Sequence, residues 1–341
     1  MGKIVLKVDE FVSQYHLLNK KIFDVQQYDI NKDIVLTNEP DIETIYISTT
    51  SHLGGSWVVP ADILYSFKHH ITLKVDMDLV MYKKITEAGI NTPNIYYAAS
   101  LYKLLSYLET GKKYLLKHFG HARSLGQAVI TSHDLFDLTY DVRLLTSEEF
   151  NKRFNVSLGV VYNDDEKEFL YDAVCGGKSF ITDYITYESE YRFLMFRTED
   201  PLSYIVEDRK GYGPNSEFKR EHTVIDSKQV GKCLKDIVKK LYSFMDKLDV
   251  PVMAFDVYVK EDNTWGLFEY NTTWGHDYPN IDHTISVWYT QAMLKYLLDK
   301  KIIEHDIITD KYSVIIKDTE TISDITKNKK KVKNVNKQNS E

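Results

Sequence analysis

Residues Phe255 to Gly275 read FDVYVKEDNTWGLFEYNTTWG, two alternating stretches around the turn-forming run Glu261-Asp262-Asn263. The pattern predicts two antiparallel strands, and it constrains the fold because it puts chemistry on one face of a sheet. Successive strand residues point to opposite faces, so Asp256 lies away from Phe255 and Val257, and Glu269 and Asn271 lie away from Tyr270. Pairing through the turn brings Asp256 beside Glu269. Two carboxylates and an amide oxygen are hard oxygen ligands, suited to a Mg2+ ion that keeps waters and bridges phosphates. The plainer alternative is a solvated hairpin face, which normally mixes both signs of charge. No Lys or Arg is expected to face these acids, which favours Asp256, Glu269 and Asn271 as metal ligands.

The rest of the chain supplies surroundings for such a site. Residues 1–75 read as a small α/β unit containing the buried-type strand IETIYIST (Ile42 to Thr49). DLVMYKKITEAGINTPNIYYA has apolar residues at helical spacing, a C-terminal stop at Gly89 and an extended stretch from Pro93. After a helical stretch around Leu101 to Glu109, strands are expected at Tyr114 to His118 and Gln127 to Thr131, joined by a glycine-bounded loop. KSFITDYITYESEYRFLMF reads as strand, polar connector and strand. Val230, Cys233, Leu234, Ile237, Val238, Leu241, Phe244 and Met245 mark one side of an amphipathic helix. A last helix at about Thr284 to Leu298 precedes a short YSVIIK strand. The expected domains are 1–75, 76–312, and a terminal strand and disordered tail at 313–341.

Charge and composition exclude several classes. The net charge is -7, but residues 327–341 hold six lysines and one acid, so the remainder carries about -12. A body that acidic is poorly suited to neutralise nucleic-acid phosphates. The basic tail is read as disordered and solubilising. No apolar run reaches membrane-helix length, and no signal peptide is evident, so no membrane partner is expected. Two cysteines, Cys175 and Cys233, form neither a disulfide framework nor a paired-cysteine zinc motif. A cytoplasmic location is expected.

Candidate phosphate-binding groups lie elsewhere in the chain. CGGKS is no Walker loop, because the required earlier glycine falls on Asp172. Lys117 instead ends a strand just before HFGHARSLGQ, and a lysine beside a glycine loop can clamp phosphates with one charge and several backbone N–H groups. Arg123 lies within that loop; a surface role is the alternative for Lys117. Arg192 sits inside an apolar strand and needs an anionic partner, either a protein carboxylate or a substrate phosphate. The connector Thr182, Asp183, Tyr184 and Ile185 offers backbone groups to an adenine ring, with Asp183 or Glu190 near the ribose. His276, Asp277, Asp282 and His283 have no zinc-site spacing and read as a substrate-facing loop.

In this order the features resemble the ATP-grasp superfamily, from about Asp76 to Gly275: helix-GINTP, Lys117 with its glycine loop, the ITDYI hinge, EYR and the closing FDVY…LFEYN. ESEYRFLMF and the closing hairpin look most like a divergent clade that includes a eukaryotic cell-cycle protein assembling a translation initiation factor, with viral and bacterial relatives. The resemblance implies an α+β fold in which two α+β subdomains clamp ATP behind a small N-terminal α/β domain. It implies Mg2+ on Asp256, Glu269 and Asn271, and phosphate neutralisation by Lys117, Arg123 and Arg192. The implied reaction is carboxylate–amine ligation through an acylphosphate, with a peptide, protein or small amino compound as acceptor. A nucleotide-binding assembly factor and a kinase-like phosphotransferase are the other readings. One departure is that superfamily ligases carry a further lysine near the position of Asp78. Here either Lys74 or Lys83 substitutes, or Arg123 and Arg192 share its work.

Overall fold

The computed structural model describes residues 4–8, 16–27, 41–49, 67–73, 78–97, 101–118, 127–134, 146–150, 179–200, 203–210, 221–225, 232–271 and 282–303. Arg123, Lys74, the glycine loop after Lys117, His276 and Asp277, the YSVIIK stretch and the basic tail lie outside these residues.

The fold is α+β, built on three sheets. The first is parallel, in the order β2-β1-β3-β4, from β1 (Ile4–Val8), β2 (Phe23–Gln27), β3 (Asp41–Thr49) and β4 (Phe67–Leu73). Helix α1 (Asp78–Glu87) follows. Gly89 then takes φ +70°, and Ile90 N–H returns to the Ile85 carbonyl at 3.2 Å, the left-handed stop that a glycine accommodates without strain.

The second sheet, antiparallel in the order β5-β8-β6-β7, holds β5 (Ile95–Tyr96), β6 (Tyr114–His118), β7 (Gln127–Ile130) and β8 (Ser179–Asp183). Short helices α2 (Leu101–Leu105) and α3 (Ser147–Phe150) interrupt its connections. The third, also antiparallel, runs β11-β10-β9-β12-β13. Its strands are β9 (Ser189–Phe196), β10 (Tyr204–Lys210), β11 (Glu221–Ile225), β12 (Val252–Val259) and β13 (Trp265–Asn271). The β12–β13 turn is the expected one: Lys260 N–H bonds the Thr264 carbonyl at 2.8 Å, with Asn263 at φ +61°.

Alternation along these strands sorts two cores onto the two faces. Phe193, Met195, Val206, Met253, Phe255 and Val257 meet α1 and helix α4 (Lys232–Leu248). The amphipathic stripe is inside as expected, with Ile237, Val238, Leu241, Phe244 and Met245 buried. On the other face, Leu194, Phe196, Ile205, Val252 and Ala254 lie under helix α5 (Asp282–Asp299), and Leu6, Leu18, Ile22 and Phe23 join the same core. Every residue of β12 is buried, which explains its near-continuous apolar run. No helix among the described residues is long and apolar enough to cross a membrane.

Candidate functional site

The α5 face of the third sheet changes character along the strands. Ile205, Leu194, Ala254 and Asn271 form one cross-strand row. One step on, the row reads Glu207, Arg192, Asp256 and Glu269. The following step brings Glu190 opposite Tyr258, with Arg209 two residues beyond Glu207 on the same strand. The apolar row anchors the helix, and the charged rows are the candidate site.

Glu269 reaches this face through a β-bulge. Asp256 pairs with Glu269 but Val257 pairs with Leu267, leaving Phe268 as the extra residue. Leu267 and Tyr270 therefore both enter the α4-side core, while Glu269 sits beside Asp256. Strict alternation would have put Leu267 and Glu269 on one face. Bulges re-aim side chains in this way and are common beside active sites.

One expectation about the acids is overturned, because arginines do face them. Arg192 donates Nε to Asp256 Oδ1 at 2.7 Å and Nη2 to Oδ2 at 2.6 Å, a bidentate pair. Arg209 Nη1 lies 3.4 Å from Asp256 Oδ1 and 3.2 Å from Glu190 Oε1, and its Nε lies 3.4 Å from Glu207 Oε2. The sequence reading missed Arg209 and Glu207; their alternation with Ile205 in YIVEDRK was the available signal. Burial pushes Asp256 upward in pKa, but Arg192 and then Arg209 outweigh it and hold the carboxyl below its ordinary value. Burial and the neighbouring Asp256 charge push both Glu190 and Glu269 upward. Lys117 and Arg192 pull Glu269 back only in part.

These directions have one cause. Among the described residues, four carboxylates (Glu190, Glu207, Asp256 and Glu269) meet two guanidiniums, and Lys117 offsets only part of the excess. Asn271 spends an amide N–H on Glu269 Oε1 at 3.3 Å, which leaves its carbonyl oxygen as the acceptor atom for a cation. Hard oxygen ligands with surplus negative charge fit a divalent cation in donor type and in charge. No group of three or more His, Cys, Asp or Glu side chains with metal-holding geometry occurs among the described residues. The candidate set is thus two carboxylates with an amide, and Asp256 in it already serves Arg192.

Lys117 comes from the second sheet. Its Nζ bonds the Tyr82 hydroxyl at 3.0 Å, and its charge acts on Glu269 in the third sheet, so the two sheets meet across this site. The connector after β8 is held by both. Asp183 accepts from Asn94 Nδ2 at 2.6 Å and Tyr96 Oη at 3.0 Å and pairs with Lys112 at 3.0 Å. The Glu188 N–H bonds the Val259 carbonyl at 2.9 Å. Glu190 has one oxygen on Tyr187 Oη at 2.8 Å and the other on Arg209. Both candidate ribose carboxylates are therefore engaged by protein groups. Lys83 stands apart: it is exposed, pairs with Glu87 at 3.8 Å, and lines a groove of about 650 Å³ with Thr86, Asn91 and Tyr97. None of the charged-row residues lines that groove.

The fold is ATP-grasp-like, a likeness that comparison with solved structures supports at the level of fold alone. It is similar to Staphylococcus aureus N5-carboxyaminoimidazole synthetase complexed with ADP, with TM-score 0.51, 8% identity, and coverage of 84% of this chain and 77% of that one. An ADP complex of N5-carboxyaminoimidazole ribonucleotide synthetase gives TM-score 0.52 at 9% identity, covering 85% and 78%. D-alanyl-alanine synthetase A from Vibrio cholerae O1 biovar eltor gives 0.51 at 10%, covering 88% and 100%. No protein-family model matches the chain, and no curated protein sequence matches it.

Proposed function

We propose that the chain is an ATP- and Mg2+-dependent carboxylate–amine ligase. The observation that carries this reading is the acidic row Asp256–Glu269 with Asn271, facing Lys117 across two sheets in an ATP-grasp-like fold. The similar structures support it, being synthetases, two of them complexed with ADP. In this proposal residues 1–75 precede an ATP-grasp domain at 76–312.

Glu269 and Asn271 would hold the cation, with Asp256 contributing through the lone pairs its Arg192 fork leaves. When bound, the cation would supply positive charge against the negative charge of the phosphates. Lys117, Arg123 and Arg192 would neutralise the remaining phosphate charge, which is most of what in-line phosphoryl transfer asks of a protein. Backbone groups of Thr182 to Ile185 would take the adenine, since the Asp183 and Glu190 carboxylates are engaged. The substrate carboxylate would be activated as an acylphosphate, and an amine on a peptide, protein or small molecule would displace phosphate. No side-chain nucleophile is required. A cytoplasmic setting, with no nucleic-acid or membrane partner, belongs to the same proposal.

A second reading, an assembly factor that holds ATP without turnover, is favoured by one observation: both Asp256 oxygens are already engaged by Arg192. Calorimetry with Mg-ATP on the parent and Glu269→Gln proteins tests the site. Binding in the parent, and loss of at least tenfold in the variant, is expected. ADP release that depends on an added amine then supports ligation; tight binding without release supports the assembly reading. A folded parent that binds no Mg-ATP refutes both.

A further inference from the structure

Arg192 stands in its row between two acids, with Glu207 on β10 and Asp256 on β12 as its register partners. Either carboxylate could take its guanidinium, and Glu207 is the more deeply buried, at 1% exposure against 5%. A buried carboxylate without a counter-charge is costly, so Glu207 ought to compete strongly for Arg192. Yet Arg192 gives its Nε and Nη2 to Asp256, at 2.7 and 2.6 Å.

The selection follows from Arg209. It lies two residues beyond Glu207 on the same strand and face, with Nε 3.4 Å from Glu207 Oε2 and Nη1 3.2 Å from Glu190 Oε1. Its third carboxylate, Asp256, is 3.4 Å away. These acids come from β10, β9 and β12, so any displacement of Arg209 uncovers charge on three strands at once. We infer that Arg209 is a positioning residue, which neutralises Glu207 and Glu190 and thereby assigns Arg192 to Asp256. Arg192 is then kept at the Glu269 end of the row, where the proposed cation and phosphates belong. That functional half rests on the nucleotide-binding reading; the selection of partner does not.

Without Arg209, Glu207 and Glu190 would draw Arg192 away from Asp256. A crystal structure of Arg209→Gln should show the Arg192 guanidinium turned to Glu207, and Arg209→Gln/Glu207→Gln should return it to Asp256. In the Mg-ATP titration Arg209→Gln should bind about tenfold more weakly, and the double variant should recover to within about threefold of the parent. In an Arg192→Gln background the Arg209 change should cost less than it does in the parent, since no guanidinium is left to redirect and only the charge that Arg209 itself covers is exposed. A role in stability alone would weaken binding equally in both backgrounds. If Arg209→Gln does not fold, Arg209→Lys keeps the charge without the fork, and should give a smaller loss that is again reduced in Arg192→Gln. Arg192 still on Asp256 in the variant crystal overturns the inference, whatever the nucleotide data. Redirection in the crystal with no Mg-ATP binding by the parent upholds the selection and refutes only the nucleotide reading.

Discussion

Asp256 and Glu269 are neighbours in one row, yet their charges do opposite things to stability. Asp256 is held below its ordinary value of 3.8 by Arg192 and Arg209. Its contribution is therefore fully present above that ordinary value and is lost as pH falls through the lower folded one. Glu269 is pushed up by burial and by Asp256, so its ionised form costs stability once pH has risen through its folded value, and costs nothing below 4.5. Asp256→Asn strands Arg192 and should destabilise the metal-free protein at neutral pH by about 3 kcal/mol, within the usual range for breaking a buried pair. Glu269→Gln should leave the protein at least as stable as the parent under the same conditions. Urea unfolding at neutral pH and at about pH 2 checks both, because the Asp256 variant should close on the parent only as pH falls towards the folded value of about 2. Equal losses for the two variants would show that Arg192 does not distinguish between them.

At the scale of elements, the site depends on where β13 is forced to sit. The stretch after α1 docks against it: Leu267 N–H bonds the Asn91 carbonyl at 2.8 Å, and Thr92 Oγ1 bonds the Leu267 carbonyl at 3.1 Å. Gly266 makes that approach feasible, because a Cβ there would lie 2.4 Å from Tyr258 Oη and 2.5 Å from the Asn91 backbone oxygen. A side-chain ring alone could swing aside, but the backbone oxygen is fixed by the docking itself. Gly266→Ala should therefore cost about 1–3 kcal/mol, the usual range for overpacking, read as a lower urea midpoint with unchanged slope. A variant with the parent midpoint would mean that the 90–97 stretch is not clamped as the distances indicate. The bulge at Phe268 acts beside it and sets which face Glu269 occupies.

Across the whole molecule, α5 is the joint. Ile285, Tyr289, Met293 and Leu297 share one core with Leu194, Phe196 and Val252 of the third sheet, with Leu6 and Phe23 from the first, and with Leu18 between those two strands. Asn19 N–H bonds Thr290 Oγ1 at 3.0 Å, and Ser286 Oγ bonds the Leu17 carbonyl at 2.5 Å, so polar contacts fix the same junction. A continuous core predicts one cooperative transition for the first and third sheets together. Leu297→Ala should lower stability by about 2–5 kcal/mol and shift fluorescence and far-UV transitions equally. Separate transitions would show that the first sheet folds on its own.

Most elements were legible in the sequence because their signals are local. Helix α4 declares itself by a 3.6-residue apolar stripe, α1 by the glycine that stops it, and β12–β13 by alternation around a turn. Asp256, Glu269 and Asn271 could be placed on one face for the same reason. What alternation cannot show is which strands become neighbours, and that alone brought Arg192 and Arg209 against the acids. Nor could it show the bulge at Phe268, an extra residue visible only once β12 supplies a register to violate. The chain's own sequence thus determined the strands, the helices and the shared face of Asp256, Glu269 and Asn271, through short-range periodicity and turn chemistry. Only tertiary pairing decided their counter-charges, because buried charge is balanced across strands far apart in sequence.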